Sequence, residues 1–227
     1  TRSDKKLWAV TSTLFVSLLL LSLTFSIKEA LNIEIENNSK ELLGGDIQVD
    51  SDIEQLPSSV VEQFNALGKV SATIEFATML SKEGESPVFT ELRAVDNNYP
   101  LYGKVETTPQ GVSEKIFSSA QKPAVLINES IQKLLKVSVG DDVVIMGQNF
   151  EVAGIVSSVP DLAESAVFGE FAIISMNSYE KFKLSSGGSF LDHKYRIKFN
   201  KLNEIQEQEG IVNSIIAYDD RIKTRLP

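Results

Sequence analysis

The chain has 227 residues, a formal net charge of −9 and no cysteine. That length bounds it to one or two domains, and the acidic balance argues against nucleic acid, whose phosphates need clustered Lys and Arg, and against broad docking on anionic lipid. Without Cys, disulfides, zinc–thiolate sites, iron–sulfur clusters and Cys nucleophiles are excluded.

Residues 7–27 carry no charge, Pro or Gly, and roughly 20 apolar residues suffice to cross a bilayer core as a helix. Arg2, Lys5 and Lys6 precede this stretch and Trp8 stands at its edge. The pattern predicts a transmembrane helix with residues 1–6 cytoplasmic and the rest extracytoplasmic. A cleaved signal peptide has a shorter apolar core and a small-residue cleavage site, and a buried core helix has a polar stripe. Residues 28–43 keep one apolar stripe through Leu31, Ile35 and Leu42, so the helix is expected to run on as a stalk. Gly44 and Gly45 are the expected helix stop and hinge, since Gly accepts the left-handed position that closes a helix.

A strand over 47–49 follows, then a helix over 58–67 opened by Pro57, with Val60, Val61, Phe64 and Leu67 on one face. Residues 70–80 and 87–95 read as a β-hairpin around the polar turn 82–86. Residues 96–103 form an irregular loop with Tyr99 extended before Pro100. Residues 107–122 are polar and read as a domain crossing. Residues 124–127 form a buried strand, Asn128 caps a helix over 129–136, and strands over 142–146 and 149–157 are joined at Gly147 and Gln148. Residues 158–169 are loop-like. A strand over 170–175 precedes a short helix over 179–182 with Asn177 as its cap. A strand over 195–199, a helix over 202–208 and a strand over 212–218 complete the pattern.

Little here does chemistry. There is no G-x-x-x-x-G-K-[ST] phosphate loop and no G-x-S-x-G elbow. The one histidine, His193, is expected in a surface turn. Asp50, Asp52 and Glu54 alternate, but a calcium loop counted from Asp50 has Gln55 where Gly belongs and Val61 where Glu belongs. Glu75 and Glu91 either face each other across the hairpin or pair with Lys or Arg. No catalytic, metal-binding or cofactor-binding residue is assigned. Two loops stand out as aromatic or apolar: Tyr99, Leu101 and Tyr102, and Val167, Phe168 and Phe171. They either pack an interface between lobes or contact a partner or an apolar cargo.

The stretches 39–49 (SKELLGGDIQV), 91–105 (ELRAVDNNYPLYGKV), 124–145 (AVLINESIQKLLKVSVGDDVVI), 150–156 (FEVAGIV) and 174–182 (ISMNSYEKF) occur in that order. Together they resemble the extracytoplasmic, periplasmic core domain of ABC-transporter permeases of the MacB/LolC/FtsX-like group, most of all its YbbP-type branch. The resemblance implies an α+β ectodomain behind the transmembrane helix and stalk, made of two lobes. A porter-like βαβ lobe takes residues 44–106 and 190–218, a β-rich lobe is inserted at 107–189, and 219–227 returns toward the membrane as part of a longer permease. It implies a non-enzymatic role in the bacterial inner membrane: transmission of ATP-driven motion through the stalk, for export or extraction of an envelope lipid, lipoprotein or peptide. The partners implied are a cytoplasmic ABC ATPase and a second permease copy or paired ectodomain, with membrane lipid around residues 7–27. The residues alone equally fit the ligand-sensing ectodomain of a membrane-anchored receptor. A membrane-anchored hydrolase would need a polar pocket of titratable groups.

Overall fold

The structure is a computed structural model that describes residues 8, 15–22, 27–28, 39–41, 43–51, 55–118, 123–161, 169–182, 191–200 and 205–226. Residues 1–39 and 40–227 form two separate units. In the first unit every described residue is helical, and its apolar side chains stand exposed, Trp8 at 79% and Phe15 at 68%. Among the described residues no helix is long and apolar enough to cross a membrane. The rest of the expected span 7–27 and most of the expected stalk 28–43 lie outside the described residues.

The second unit is built on one ten-stranded sheet. Its strands are β1 (Ile47–Ser51), β2 (Gly68–Ser81), β3 (Val88–Val95), β4 (Glu106–Thr108), β5 (Ala124–Asn128), β6 (Asp142–Ile145), β7 (Gln148–Ser158), β8 (Phe171–Ser175), β9 (Asp192–Phe199) and β10 (Ile222–Arg225). The spatial order is β10-β1-β9-β2-β3-β8-β5-β7-β4, with β6 bridging β2 and β7. The pairs β3–β8 and β5–β7 are parallel and the others antiparallel. Among its described residues the unit also carries the helices α1 (Ser58–Leu67), α2 (Val112–Ser118), α3 (Glu129–Leu135), α4 (Met176–Phe182) and α5 (Ile205–Ile216).

Alternation along the strands sorts the side chains between two faces. On one face Val70, Tyr195, Ile197 and Ile47 pack under α1 and α5, through Phe64, Val212 and Ile216. Farther along the same face, Ile74, Phe76, Leu92 and Ile174 pack under α3, through Ile131 and Leu135. The opposite face carries a third apolar cluster, Val95, Leu126 and Ile173 beneath Ile116 and Phe117 of α2. Beside that cluster, the same face of β2, β3 and β9 is charged.

The expected helix 58–67 and the hairpin are present, with Glu75 opposite Arg93. Several expectations are corrected. The crossing 107–122 contains part of β4 and all of α2. The hairpin turn sits at Met146 and Gly147, both at positive φ, one residue before the expected position. Helix α4 starts at Met176, and its cap is Ser175, whose Oγ accepts from the Ser178 N–H at 3.2 Å; Asn177 lies inside the first turn. His193 is a buried residue of β9, not a turn residue. The expected strand 212–218 is helix through Ile216 and turn at 217–218: α5 runs through Gly210 because Gln208, Val212 and Ile216, four apart, are the buried positions. Strand β10 lies after it, within the segment expected to return to the membrane. Strands before and after residue 107 belong to the same ten-stranded sheet, which leaves the expected division into lobes open.

Candidate functional site

A helix end leaves carbonyls without partners, and the chain resolves this at residues 40–46 in a way that ties the helix to the sheet. Lys40, Glu41 and Leu43 are helical. Gly44 then takes φ 75°, and its N–H donates to Lys40 O at 2.9 Å and Glu41 O at 3.2 Å. The Leu43 carbonyl accepts from Arg196 Nε of β9 at 2.9 Å. Three residues on, the Asp46 N–H donates to Ile197 O at 2.9 Å. Its buried carboxylate accepts from the Phe199 N–H at 2.9 Å and from the Tyr102 hydroxyl at 2.8 Å, with Lys40 Nζ 3.8 Å away.

The loop 96–103 is shaped to meet this helix end. The Asp96 carboxylate accepts from Ser71 Oγ at 2.9 Å and from the N–H groups of Ala72 at 2.8 Å and Asn98 at 3.0 Å, which folds the loop back on β2. The Tyr99–Pro100 bond is cis. Gly103 has φ 68°, and a Cβ there would collide with the Glu41 carboxylate and with Pro160. Lys198 Nζ lies 4.2 Å from the Tyr102 ring centroid, a cation–π contact.

Behind the helix end lies a buried ionic cluster. Arg93 of β3, Glu75 of β2 and Arg196 of β9 project from the charged sheet face, and Asp161 reaches them from the connection after β7. Arg93 Nη1 is 2.8 Å from Asp161 Oδ1 and Arg93 Nη2 is 2.9 Å from Glu75 Oε1. Arg196 Nη2 is 2.9 Å from Asp161 Oδ2 and 3.9 Å from Glu75 Oε1. None of these four side chains is more than 5% exposed. Lys194 pairs with the other Glu75 oxygen, Tyr99 donates its hydroxyl to Asp161, and Arg196 Nη1 donates to Thr73 Oγ1 at 3.0 Å. Burial alone would raise both carboxyl pKa values; Arg93 and Arg196 beside Asp161, and Arg93 and Lys194 beside Glu75, hold each below the ordinary carboxylate range. Burial and Asp161 together push the Tyr99 hydroxyl up, so it stays a donor. Glu91 sits opposite Ala77 rather than Glu75, and burial and the Glu75 charge raise its pKa.

The structure thus brings Gly44, Tyr99 and Tyr102 into one site. Gly45 abuts the Arg196 side chain but keeps φ outside the left-handed region. Tyr99 and Leu101 are buried, at 5% and 8% exposure, so of that loop's three expected contact residues only Tyr102 has surface to offer. A polar cleft of about 770 Å³ opens beside the loop, its walls including Lys69, Asn98, Lys104, Thr107 and Glu114. Phe171 belongs to β8 and packs against the third apolar cluster; Val167 and Phe168 lie outside the described residues. Among the described residues no group of three or more His, Asp and Glu is placed to hold a metal. Sequence reasoning missed Arg93, Arg196 and Asp161. The available signal was an arginine inside each of two apolar strands, FTELRAV and YRIKF.

Residues 9–203 match the family described as MacB-like periplasmic core domain. A stretch of 128 residues, 56% of this chain, is 30% identical to an uncharacterized ABC transporter permease, YbbP, of Escherichia coli K12, and spans 15% of that protein's length. The fold is shared with the extracellular domain of the noncanonic ABC-type transporter YknZ from Gram-positive bacteria, at TM-score 0.57 and 12% identity, over 79% of this chain and 98% of that one. It is also shared with the periplasmic region of MacB from Actinobacillus actinomycetemcomitans, at TM-score 0.53 and 12% identity, over 82% of this chain and 91% of that one.

Proposed function

Because the chain belongs to the MacB-like periplasmic core domain family, and so is an extracytoplasmic domain of an ABC-transporter permease, we propose that it relays motion rather than performs chemistry. Residues 7–27 span the membrane and residues 28–43 form the stalk. A cytoplasmic ATPase on a separate subunit or domain moves the membrane helix, and the stalk carries that motion to the ectodomain, which works against a second copy or a paired ectodomain. The cargo is an envelope lipid, lipoprotein or peptide. The observation that carries this reading is the fastening of the helix end: Leu43 to Arg196, and Asp46 to Ile197, Phe199 and Tyr102. A helix free to swing on its loop would transmit nothing, whereas one bonded to a central strand moves the whole sheet. Ile35→Pro, which breaks a helix at a cost of about 3 kcal/mol, is expected to abolish transport while ATP binding persists. Transport at the normal rate would overturn the lever.

A further inference from the structure

We propose that Asp161 is a detachable latch on the helix end, with Glu75 as the carboxylate that receives Arg196 when Asp161 withdraws. The idea deepens the stalk reading and rests on it. The four charges of the cluster are not held alike. Glu75, Arg93 and Arg196 belong to three neighbouring strands, while Asp161 sits three residues past the end of β7. Arg93 already touches both carboxylates, at 2.8 and 2.9 Å. Arg196 stands 2.9 Å from Asp161 and 3.9 Å from Glu75, so a shift of about one ångström moves it from one anion to the other. Loss of Asp161 therefore leaves neither arginine without an anion, which makes a second arrangement accessible; a buried charge left without a partner would forbid it.

The exchange reaches the helix end because the same guanidinium donates Nε to Leu43 O. Drawing Arg196 toward Glu75 draws it off that carbonyl. Pro160, the neighbour of Asp161, leaves its place against Gly103 at the same time. Asp46 keeps its bonds to Ile197 and Phe199. Between a released Leu43 and a pinned Asp46 lies Gly44, already at φ 75°. Gly44 and Gly45 are then the pivot, Asp46 the pin and Asp161 the latch. Two discrete arrangements of one packed network are what a switching element requires.

The chain has no cysteine, so a pair of introduced cysteines reports one distance. Spin labels at Glu41→Cys and Lys69→Cys in the full chain measure the helix end against β2, and labels at Lys69→Cys and Lys223→Cys measure the sheet itself. The unaltered latch gives one narrow distance for each pair. Asp161→Asn adds a second, longer distance to the first pair and leaves the sheet pair unchanged. Tyr99→Phe, which removes one hold on Asp161 without touching a charge, adds the same second distance at lower population. Glu75→Gln, which removes the receiving anion, leaves the first pair single. An unchanged distance in both Asp161→Asn and Tyr99→Phe overturns the latch, as does a second distance in Glu75→Gln or a sheet pair that broadens with the first. Should Asp161→Asn fail to fold, Tyr99→Phe decides alone. No ATPase enters the measurement, so this outcome is independent of the Ile35→Pro transport result.

Discussion

Gly44 is the residue at which backbone conformation and side-chain packing make the same demand. A left-handed backbone costs an L-residue roughly 1–2 kcal/mol, and a Cβ on Gly44 would lie 2.9 Å from Arg196 Cδ and 3.0 Å from Asp161 Cβ. Gly44→Ala is expected to destabilise the domain by about 2 kcal/mol, a fall in Tm of about 4–8 °C for a domain of this size, read by thermal denaturation. The carboxylates behind it make stability depend on acid. Asp161 and Glu75 have folded pKa values below their ordinary ones. Their contribution is therefore complete above the unfolded carboxylate value of about 4 and is lost as pH falls through the lower folded values. Glu75→Gln is expected to cost about 3 kcal/mol at neutral pH, because it leaves Arg93 and Lys194 short of an anion. The gap in Tm between that variant and the unaltered chain should narrow as pH drops below about 4. A gap constant from pH 7 to 3 would show that Glu75 stays charged throughout or contributes nothing.

At the scale of elements, local chemistry sets the boundaries wherever the signal is a cap or a turn. Asn128 ends β5 and starts α3, its Oδ1 accepting from the Ile131 N–H at 3.1 Å while its Nδ2 donates to Gly169 O at 2.9 Å. Asn128→Ala is expected to cost about 1–2 kcal/mol, measured as a lower urea midpoint with unchanged m-value. Helix α1 was equally legible, from Pro57 at its start and the spacing of Val60 and Phe64. Helix α5 was not. Its sequence IVNSIIAY favours a strand by composition, and Gly210 inside it costs about 1 kcal/mol against Ala. The burial of Val212 and Ile216 beside Phe64 of α1 decides for helix. Propensity is a weak prior that tertiary packing overrides.

At the scale of the molecule, the strand that follows the helix end is held on both sides. Strand β1 pairs with β9 and, antiparallel, with β10, so that Gln48 faces Arg225 across the ladder. Entry into the sheet at β1 and the strand β10 therefore lie side by side, and on the proposed relay a displacement delivered at Asp46 would act on both. The Ile35→Pro experiment tests that transmission at its source. Residues 58–67 and the hairpin announced themselves through period and turn chemistry, and the ordered stretches from 39 to 182 announced the family. Those signals are local, and each survives being read a few residues at a time. The site is not local. Glu75, Arg93, Asp161 and Arg196 are spread over more than half the chain, and strand register joins the first, second and fourth, setting Glu75 opposite Arg93 and Ser71 opposite Arg196, while Asp161 comes to them from the connection after β7. An arginine in a strand reads as solvent-facing until the register shows which carboxylate it meets and how little water reaches the pair. The sequence by itself determined α1, the β2–β3 hairpin, the Asn128 cap, the glycine that closes the helix at Gly44 and the family; only the tertiary structure decided that α5 is helical and that the helix ends on Arg196, because a buried residue is placed by its partners and not by its neighbours in the chain.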